Sequence, residues 1–257
     1  MTHYYKKDGL QFPSFTTIIS DCENKGDALT QWAANQAVEW IRENCEFQDV
    51  TTPEGPAYRG AFIVDDDQLN TARFAFKQTS KTALDVGSEV HGAIEAYLKR
   101  EIARKHDGDG HFDITDPVYA KLSKQAMNSF NAFNAWYKEH NVKPIALEHT
   151  VYGNGCAGTL DFLGYFNDKL YVIDWKSSKA HYKSMAYQVA AYRDACRKQE
   201  HERVEGCGVL RLDKETGIPD FKDTSKTYLN DLRVFNAMVN LYFTKHPRIA
   251  KNAGIPF

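Results

Sequence analysis

The stretch that decides the fold runs from Gly158 to Lys176 and reads GTLDFLGYFNDKLYVIDWK. Two largely apolar runs meet there at Asn167-Asp168, a pair that tolerates the positive φ angles of a two-residue hairpin turn, although glycine is the commoner second residue. Taking that pair as the turn sets Phe166 opposite Lys169 and, counting outward, Asp161 opposite Asp174. Directly opposed side chains have Cβ atoms about 5 Å apart, and two like charges there repel unless a cation lies between them. Asp174 and Lys176 are two apart on one strand, so they share a face. Leu160, Phe162 and Leu163 flank the first aspartate and Val172, Ile173 and Trp175 the second, and a charge in such surroundings is costly unless paired. A D-x-K on a strand also reads as a salt-bridged, solvated face; the counted register and the apolar flanks weigh against that reading.

Upstream, the Gly153-Asn154-Gly155 turn leads back to another alternating run and brings Glu148 toward the aspartates as a third carboxylate, a position that reads more readily as an edge acid. Three strands are therefore predicted, Ala146–Tyr152, Thr159–Phe166 and Lys169–Lys176. An oxygen-rich site of this kind suits Mg²⁺ or Mn²⁺. Downstream, the period changes to a helix from about Lys183 to Gln199, then a short strand over Gly206–Leu212 and a last helix near Ser225–Thr244. Gln188 and Tyr192, four apart, share one face of the first of these helices. Between the metal strand and that helix, Lys179, His181, Tyr182 and Lys183 form a basic and aromatic run that reads either as a place to hold phosphates and stack a base or as a solvated loop.

The N-terminal half reads as more helical. Leu29, Trp32, Ala33, Ala37, Trp40 and Ile41 recur at helical spacing between Asp27 and Asn44. A loop with Pro53, Gly55, Pro56 and Gly60 follows, then two helices before residue 106, the second opening near Gly87 with Val90, Ile94, Tyr97, Leu98 and Ile102 on one side. Residues His106 to Asp113 mark a loop, and Asp116-Pro117 an N-cap with proline at the first position of a helix running to about His140. The expected fold is α/β (α+β) in one domain of residues 1–257, with a helical N-terminal elaboration over 1–80, a catalytic core over 81–215 and a C-terminal helical segment over 216–257.

Composition bounds the rest. A hydrophobic share of 42% and a charged share of 26% are ordinary for a globular protein, and no stretch approaches the roughly 18 apolar residues of a membrane span. Met1 to Gly9 is polar with no apolar run behind it, so no membrane and a cytoplasmic setting are expected. The five cysteines, an odd number without a C-x-x-C pair, point to reduced thiols. A net charge of −2 gives no global pull toward a polyanion, which a local patch would have to meet.

Gly87-Ser-Glu-Val-His91, Gly158-Thr-Leu-Asp161, Asp174-Trp-Lys176 and Gln188-Val-Ala-Ala-Tyr192 resemble, in this order, the G-x-x-x-H, G-x-x-D, D-x-K and Q-x-x-x-Y motifs of RecB-like nucleases in the PD-(D/E)XK superfamily. Pro13-Ser14-Phe15-Thr16 is similar to a P-S-x-T element of phage exonucleases and of the mitochondrial genome maintenance exonuclease. The resemblance implies a restriction-endonuclease-like core, a central mixed β-sheet flanked by helices. It further implies that Asp161 and Asp174 ligate metal, that His91 adds a nitrogen ligand, and that the Trp175 carbonyl and Glu148 join the shell. Lys176 would position the nucleophile or stabilise charge on the phosphate, with Gln188 and Tyr192 touching Lys176 or the DNA backbone. Glu95, one turn beyond His91, reads as a surface acid or an outer-shell group, and Ser14, Thr16 and Thr17 as phosphate contacts or helix caps. The implied activity is a Mg²⁺- or Mn²⁺-dependent deoxyribonuclease, an exonuclease on single-stranded DNA or DNA ends. A structure-specific endonuclease and a non-catalytic nucleic-acid-binding module are the alternatives. Some relatives, the Cas4-like nucleases among them, hold an iron-sulfur cluster with four cysteines, three of them clustered after the core. Only Cys196 and Cys207 lie there, so no cluster is expected. No Walker A motif is present, so unwinding would need a separate helicase, with a recombinase or single-strand-binding protein as further partner classes.

Overall fold

The computed structural model describes residues 4–23, 26–52, 55–107, 119, 121–199 and 203–256. They group into two compact units, one of residues 1–23 and 86–257, the other of residues 24–85. The chain opens with an antiparallel hairpin of β1 (Tyr4–Lys7) and β2 (Leu10–Pro13), followed by helix α1 (Phe15–Cys22). Ser14 starts that helix: its backbone is extended and its Oγ accepts from the Thr17 N–H at 2.9 Å, satisfying one of the four donors a helix leaves unpaired at its start.

The second unit holds α2 (Gly26–Asn44), a hairpin of β3 (Glu46–Thr52) and β4 (Gly55–Ile63), α3 (Asp66–Arg73) and the first part of α4 (Ala75–Asp107). Two expectations are corrected here. The proline- and glycine-bearing stretch after α2 is a hairpin, so the N-terminal elaboration is not wholly helical. Each strand of a two-stranded sheet is an edge, where a proline such as Pro56 is tolerated, and at Gly60 a Cβ would run into the Phe47 ring that lies across it. The helix expected to open at Gly87 instead starts at Ala75. Gly87 and Gly92 lie inside it, and an interior glycine costs about 1 kcal/mol, too little to end a 33-residue helix.

The rest of the first unit follows the second half of α4. Helix α5 (Lys124–Glu139) starts at Ser123, whose Oγ accepts from the Ala126 N–H, and ends at His140; the expected Asp116-Pro117 cap lies outside the described residues. Then come β5 (Val142–Gly153), β6 (Cys156–Phe166), β7 (Lys169–Lys176), α6 (Lys183–Gln199), β8 (Gly206–Leu212), β9 (Pro219–Asp223), α7 (Tyr228–Lys245) and α8 (Pro247–Asn252). The five strands form one sheet in chain order, antiparallel except for β7 and β8. That parallel pair needs a crossover, and α6 supplies it. Asn167 and Asp168 take φ of 49° and 66°, the left-handed pair of a tight hairpin turn, and Phe166 faces Lys169 as counted. Strand β9, short and half charged, was not anticipated.

Helices cover both faces of this sheet. On one face Leu163, Val172 and Val209 pack with Val189 and Tyr192 of α6, Phe15 and Ile18 of α1, and Phe235 of α7. On the other, Phe162, Ile173, Trp175 and Leu210 pack with Val90 and Ile94 of α4 and with Phe130, Phe133 and Trp136 of α5. Strand β7 shows the two-residue period that makes this possible: Leu170 and Val172 enter the first core, Tyr171, Ile173 and Trp175 the second. Burying each such side chain contributes about 1.5–3 kcal/mol. The architecture is the mixed sheet between helices that the sequence predicts. Among the described residues no helix is long and apolar enough to cross a membrane, and all five cysteines are free thiols.

Candidate active site

The site forms where β6 loses its regular alternation. Leu160 and Leu163, three apart, both enter the α6-side core while Phe162 enters the other, so the pleat slips by one residue around Asp161. The register between β5 and β6 passes from Leu147↔Phe162 to His149↔Leu160, skipping Glu148 and Asp161. Glu148 takes φ of 46°, a left-handed backbone uncommon outside glycine. The β6–β7 ladder also stops early, its last pair being Phe162↔Ile173. The expected face-to-face opposition of Asp161 and Asp174 is therefore not realised as a ladder pair: beyond the last pair, Asp161 Oδ2 accepts from the Trp175 N–H at 2.7 Å. Its other oxygen lies 3.2 Å from His91 Nδ1, which α4 presents from the second face.

Asp174 and Lys176 share a face as expected, and Lys176 Nζ lies 2.5 Å from Asp174 Oδ2. Gln188 on α6, expected at Lys176 or the DNA backbone, donates from its amide nitrogen to Asp174 Oδ1 at 3.3 Å and to the Tyr192 hydroxyl at 2.9 Å. Tyr192 is held in turn by Phe15, whose ring centroid lies 5.4 Å away. Both rings press on Gly158, where a Cβ would come within 2.6 Å of Tyr192 Cε1 and 2.8 Å of Phe15 Cδ2. The glycine of G-x-x-D is thus a packing requirement, and the P-S-x-T element meets the site through the phenylalanine inside it.

The electrostatics are those of buried acids short of positive charge. Burial raises both aspartates, but His91, Lys176 and the Trp175 N–H outweigh it at Asp161 and hold that carboxyl below the ordinary range. Asp174 goes the other way, raised by burial and by the charge of Asp161 despite Lys176. Glu148 is pushed up to about 6 by partial burial and by Asp161. Burial alone would lower Lys176 and His91, yet the neighbouring carboxylates win at both and favour the protonated forms. One ligand atom each from His91, Glu148 and Asp161 lie within 4.8 Å of one another. Asp174 stands outside that trio, its buried Oδ2 paired with the Lys176 ammonium at 2.5 Å. Three carboxylates and an imidazole gathered beside a single ammonium are a donor set that fits a hard divalent cation.

Trp175 is buried, and its N–H serves Asp161. Glu95 pairs with Lys99 at 2.6 Å, as a surface acid would. Ser14 caps α1 and touches the hydroxyls of Thr16 at 3.0 Å and Thr17 at 2.7 Å, beside β6 at Ala157. Lys179, Tyr182 and Lys183 are exposed. His181 turns away from them, with Nε2 3.2 Å from Asp220 Oδ2 on β9. One group near the site had no signal in the sequence: the Tyr5 hydroxyl lies 3.2 Å from Thr159 Oγ1, which lies 3.3 Å from Thr150 Oγ1.

Comparison with known proteins agrees with this geometry. Residues 61–239, more than half of the chain, match the family model of the PD-(D/E)XK nuclease superfamily. No curated protein matches the chain significantly.

Proposed function

The chain belongs to the PD-(D/E)XK nuclease superfamily, and on that premise we propose that it is a Mg²⁺- or Mn²⁺-dependent deoxyribonuclease. In this reading it works as an exonuclease on single strands or DNA ends, in the manner of the RecB-like and phage-type enzymes of replication, recombination and repair. The observation that carries the reading is the meeting of His91, Glu148, Asp161, Asp174 and Lys176 at the point where the ladders of β6 part. The order of the four motifs and the P-S-x-T element supports the finer assignment.

Asp161, Asp174, His91 and Glu148 would hold the cation, with the Trp175 carbonyl completing the shell. Bound there, a divalent ion acidifies water and neutralises charge on phosphate oxygens. The chain's own residues do the rest. Lys176, kept protonated by two carboxylates, offers the scissile phosphate a fixed positive charge in a site with little water, where such a charge counts most. Gln188 ties Asp174 Oδ1 to the Tyr192 hydroxyl, fixing the carboxylate so that its second oxygen keeps its place. Ser14, Thr16, Lys179, Tyr182 and Lys183 are the contacts assigned to the DNA in this reading.

The test is an assay on end-labelled single- and double-stranded DNA with Mg²⁺, Mn²⁺ or EDTA, run beside Asp174→Ala. Cleavage is expected with metal and the native residue and absent otherwise, with the label giving polarity and circular single-stranded DNA surviving. Cutting of the circle would replace the exonuclease by a structure-specific endonuclease. DNA binding without any metal-dependent cutting would replace the enzyme by a binding module.

A further inference from the structure

Beyond Glu148 and Asp161 the ladder between β5 and β6 resumes, and it carries a graded set of groups away from the metal site. Thr150 opposes Thr159, two residues past Glu148 on one strand and two residues before Asp161 on the other. Two residues of strand advance about 6.7 Å, a distance that one nucleotide of an extended strand can span. The N-terminal hairpin lies against this stretch. Tyr5 of β1 places its hydroxyl on Thr159, at 3.2 Å, and its ring edge-on to Tyr152, with centroids 6.5 Å apart. Tyr152 is two residues further along β5, and the Lys7 ammonium sits 4.7 Å from its ring centroid. From the acids outward the order is therefore hydroxyls, then an aromatic ring with a cation over it.

The chemistry of this row matches a sugar-phosphate strand. Three hydroxyls stand in a line, linked at 3.2 Å between Tyr5 and Thr159 and at 3.3 Å between Thr159 and Thr150, and a hydroxyl can both donate and accept. None of the three is fully buried, and Lys7 is exposed. Hydroxyls and a lysine are the side chains that position a phosphate without reading a base, and a half-buried ring offers a base a surface to stack on.

Resting on the nuclease reading above, we propose that Tyr5, Thr150, Thr159 and Lys7 form a phosphate track beside the metal site, receiving the linkage next to the one that is cut. Tyr5 and Lys7 then act as positioning residues that set which bond of the strand reaches the acids. A sequence whose first strand served only to cover the sheet edge would not require these groups to contact DNA.

The experiment uses the full chain and single-stranded oligonucleotides in which one linkage at a time is an uncharged methylphosphonate. Cleavage is followed in Mg²⁺, and binding by fluorescence anisotropy in EDTA. The native protein is expected to lose about tenfold in cleavage, the worth of one charge-assisted contact, when one particular linkage flanking the cut is neutral. The double variant Tyr5→Phe with Lys7→Ala is expected to cleave the fully charged strand about tenfold more slowly and to lose less than about twofold on neutralisation of that linkage. Its anisotropy in EDTA should weaken for the charged strand and become indifferent to the same linkage. A thermal melt of the variant within about 2 °C of the native protein shows that it folds; should it melt lower, Tyr5→Phe alone is carried through the same series. A variant as sensitive to the neutral linkage as the native protein, or a native protein insensitive at both flanks while still cutting, overturns the track and leaves the nuclease standing. A native protein that cuts nothing in Mg²⁺ or Mn²⁺ overturns both.

Discussion

Replacing Gly158 by alanine tests whether the glycine of the G-x-x-D element is there for packing. The added Cβ would meet Tyr192 Cε1 at 2.6 Å and Phe15 Cδ2 at 2.8 Å, whereas carbon atoms in contact prefer about 3.5–4.0 Å. Each ring must therefore retreat by about 1 Å, and neither has room, since Phe15 is 1% and Tyr192 3% exposed. Overpacking of this kind costs about 1–3 kcal/mol. For a unit of this size each kcal/mol moves Tm by about 2–4 °C, so calorimetry should find Gly158→Ala melting about 2–12 °C below the native protein. Activity should suffer more than stability. A displaced Tyr192 loosens the Gln188 amide that it shares with Asp174, and an error of 1 Å at reacting groups can cost about 100-fold in rate. Single-turnover cleavage at saturating Mg²⁺ measures this. Adding Phe15→Leu to the variant should recover stability beyond the sum of the two single changes, the mark of coupled neighbours. A Gly158→Ala protein with native Tm and native rate would refute the packing argument.

Three further outcomes are expected. Mg²⁺ or Mn²⁺ at about 100 times its Kd should stabilise the native protein by about 2.7 kcal/mol, and a Tm increment that survives His91→Ala undiminished would strike His91 from the ligands. Phe133→Ala empties a fully buried position whose ring centroid lies 5.4 Å from that of Trp175, and urea unfolding should show a loss of about 3–5 kcal/mol; a loss below about 1 kcal/mol would mean the α5-side core closes the gap. Asp21, 2.5 Å from Lys245 Nζ and 3.3 Å from His246 Nε2, is held below its ordinary carboxyl value of 3.8, chiefly by its bond to Lys245. The charge therefore stabilises the fold above that pH and ceases to as pH falls through the lowered value. Asp21→Asn should cost at most about 1 kcal/mol at pH 7 and nothing in strong acid, and a gap that widens on acidification would reverse the sign.

What the sequence made legible was local. The hairpin turn, the shared face of Asp174 and Lys176, the bounds of α6 and the strand over Gly206–Leu212 all follow from period and turn chemistry within a few residues. Errors arose where punctuation was overweighted: Pro56 and Gly60 sit in strand β4, and Gly87 sits in mid-helix, because edge strands and long helices absorb such residues. Strand β9 escaped notice because Asp220 and Lys222 interrupt so short an apolar signal. The slip of β6 at Asp161 and the left-handed Glu148 were illegible for another reason, since no periodicity anticipates its own interruption. The approach of Tyr5 to Thr159 spans 154 residues of chain, and only tertiary packing brings it about.

Asp161 and Asp174 look interchangeable on paper, yet the bond from the Trp175 N–H separates them. The side chain of Asp161 stands in for a peptide carbonyl at the mouth of the sheet, and asparagine, a neutral isostere with the same oxygen, can fill that post. Asp161→Asn should leave a native-shaped protein that grips DNA without cutting it, a ready means of trapping the bound state. No such quiet replacement exists for Asp174, because neutralising it strips the nearest counter-charge from a lysine side chain only 25% exposed, and the fold itself would register the loss.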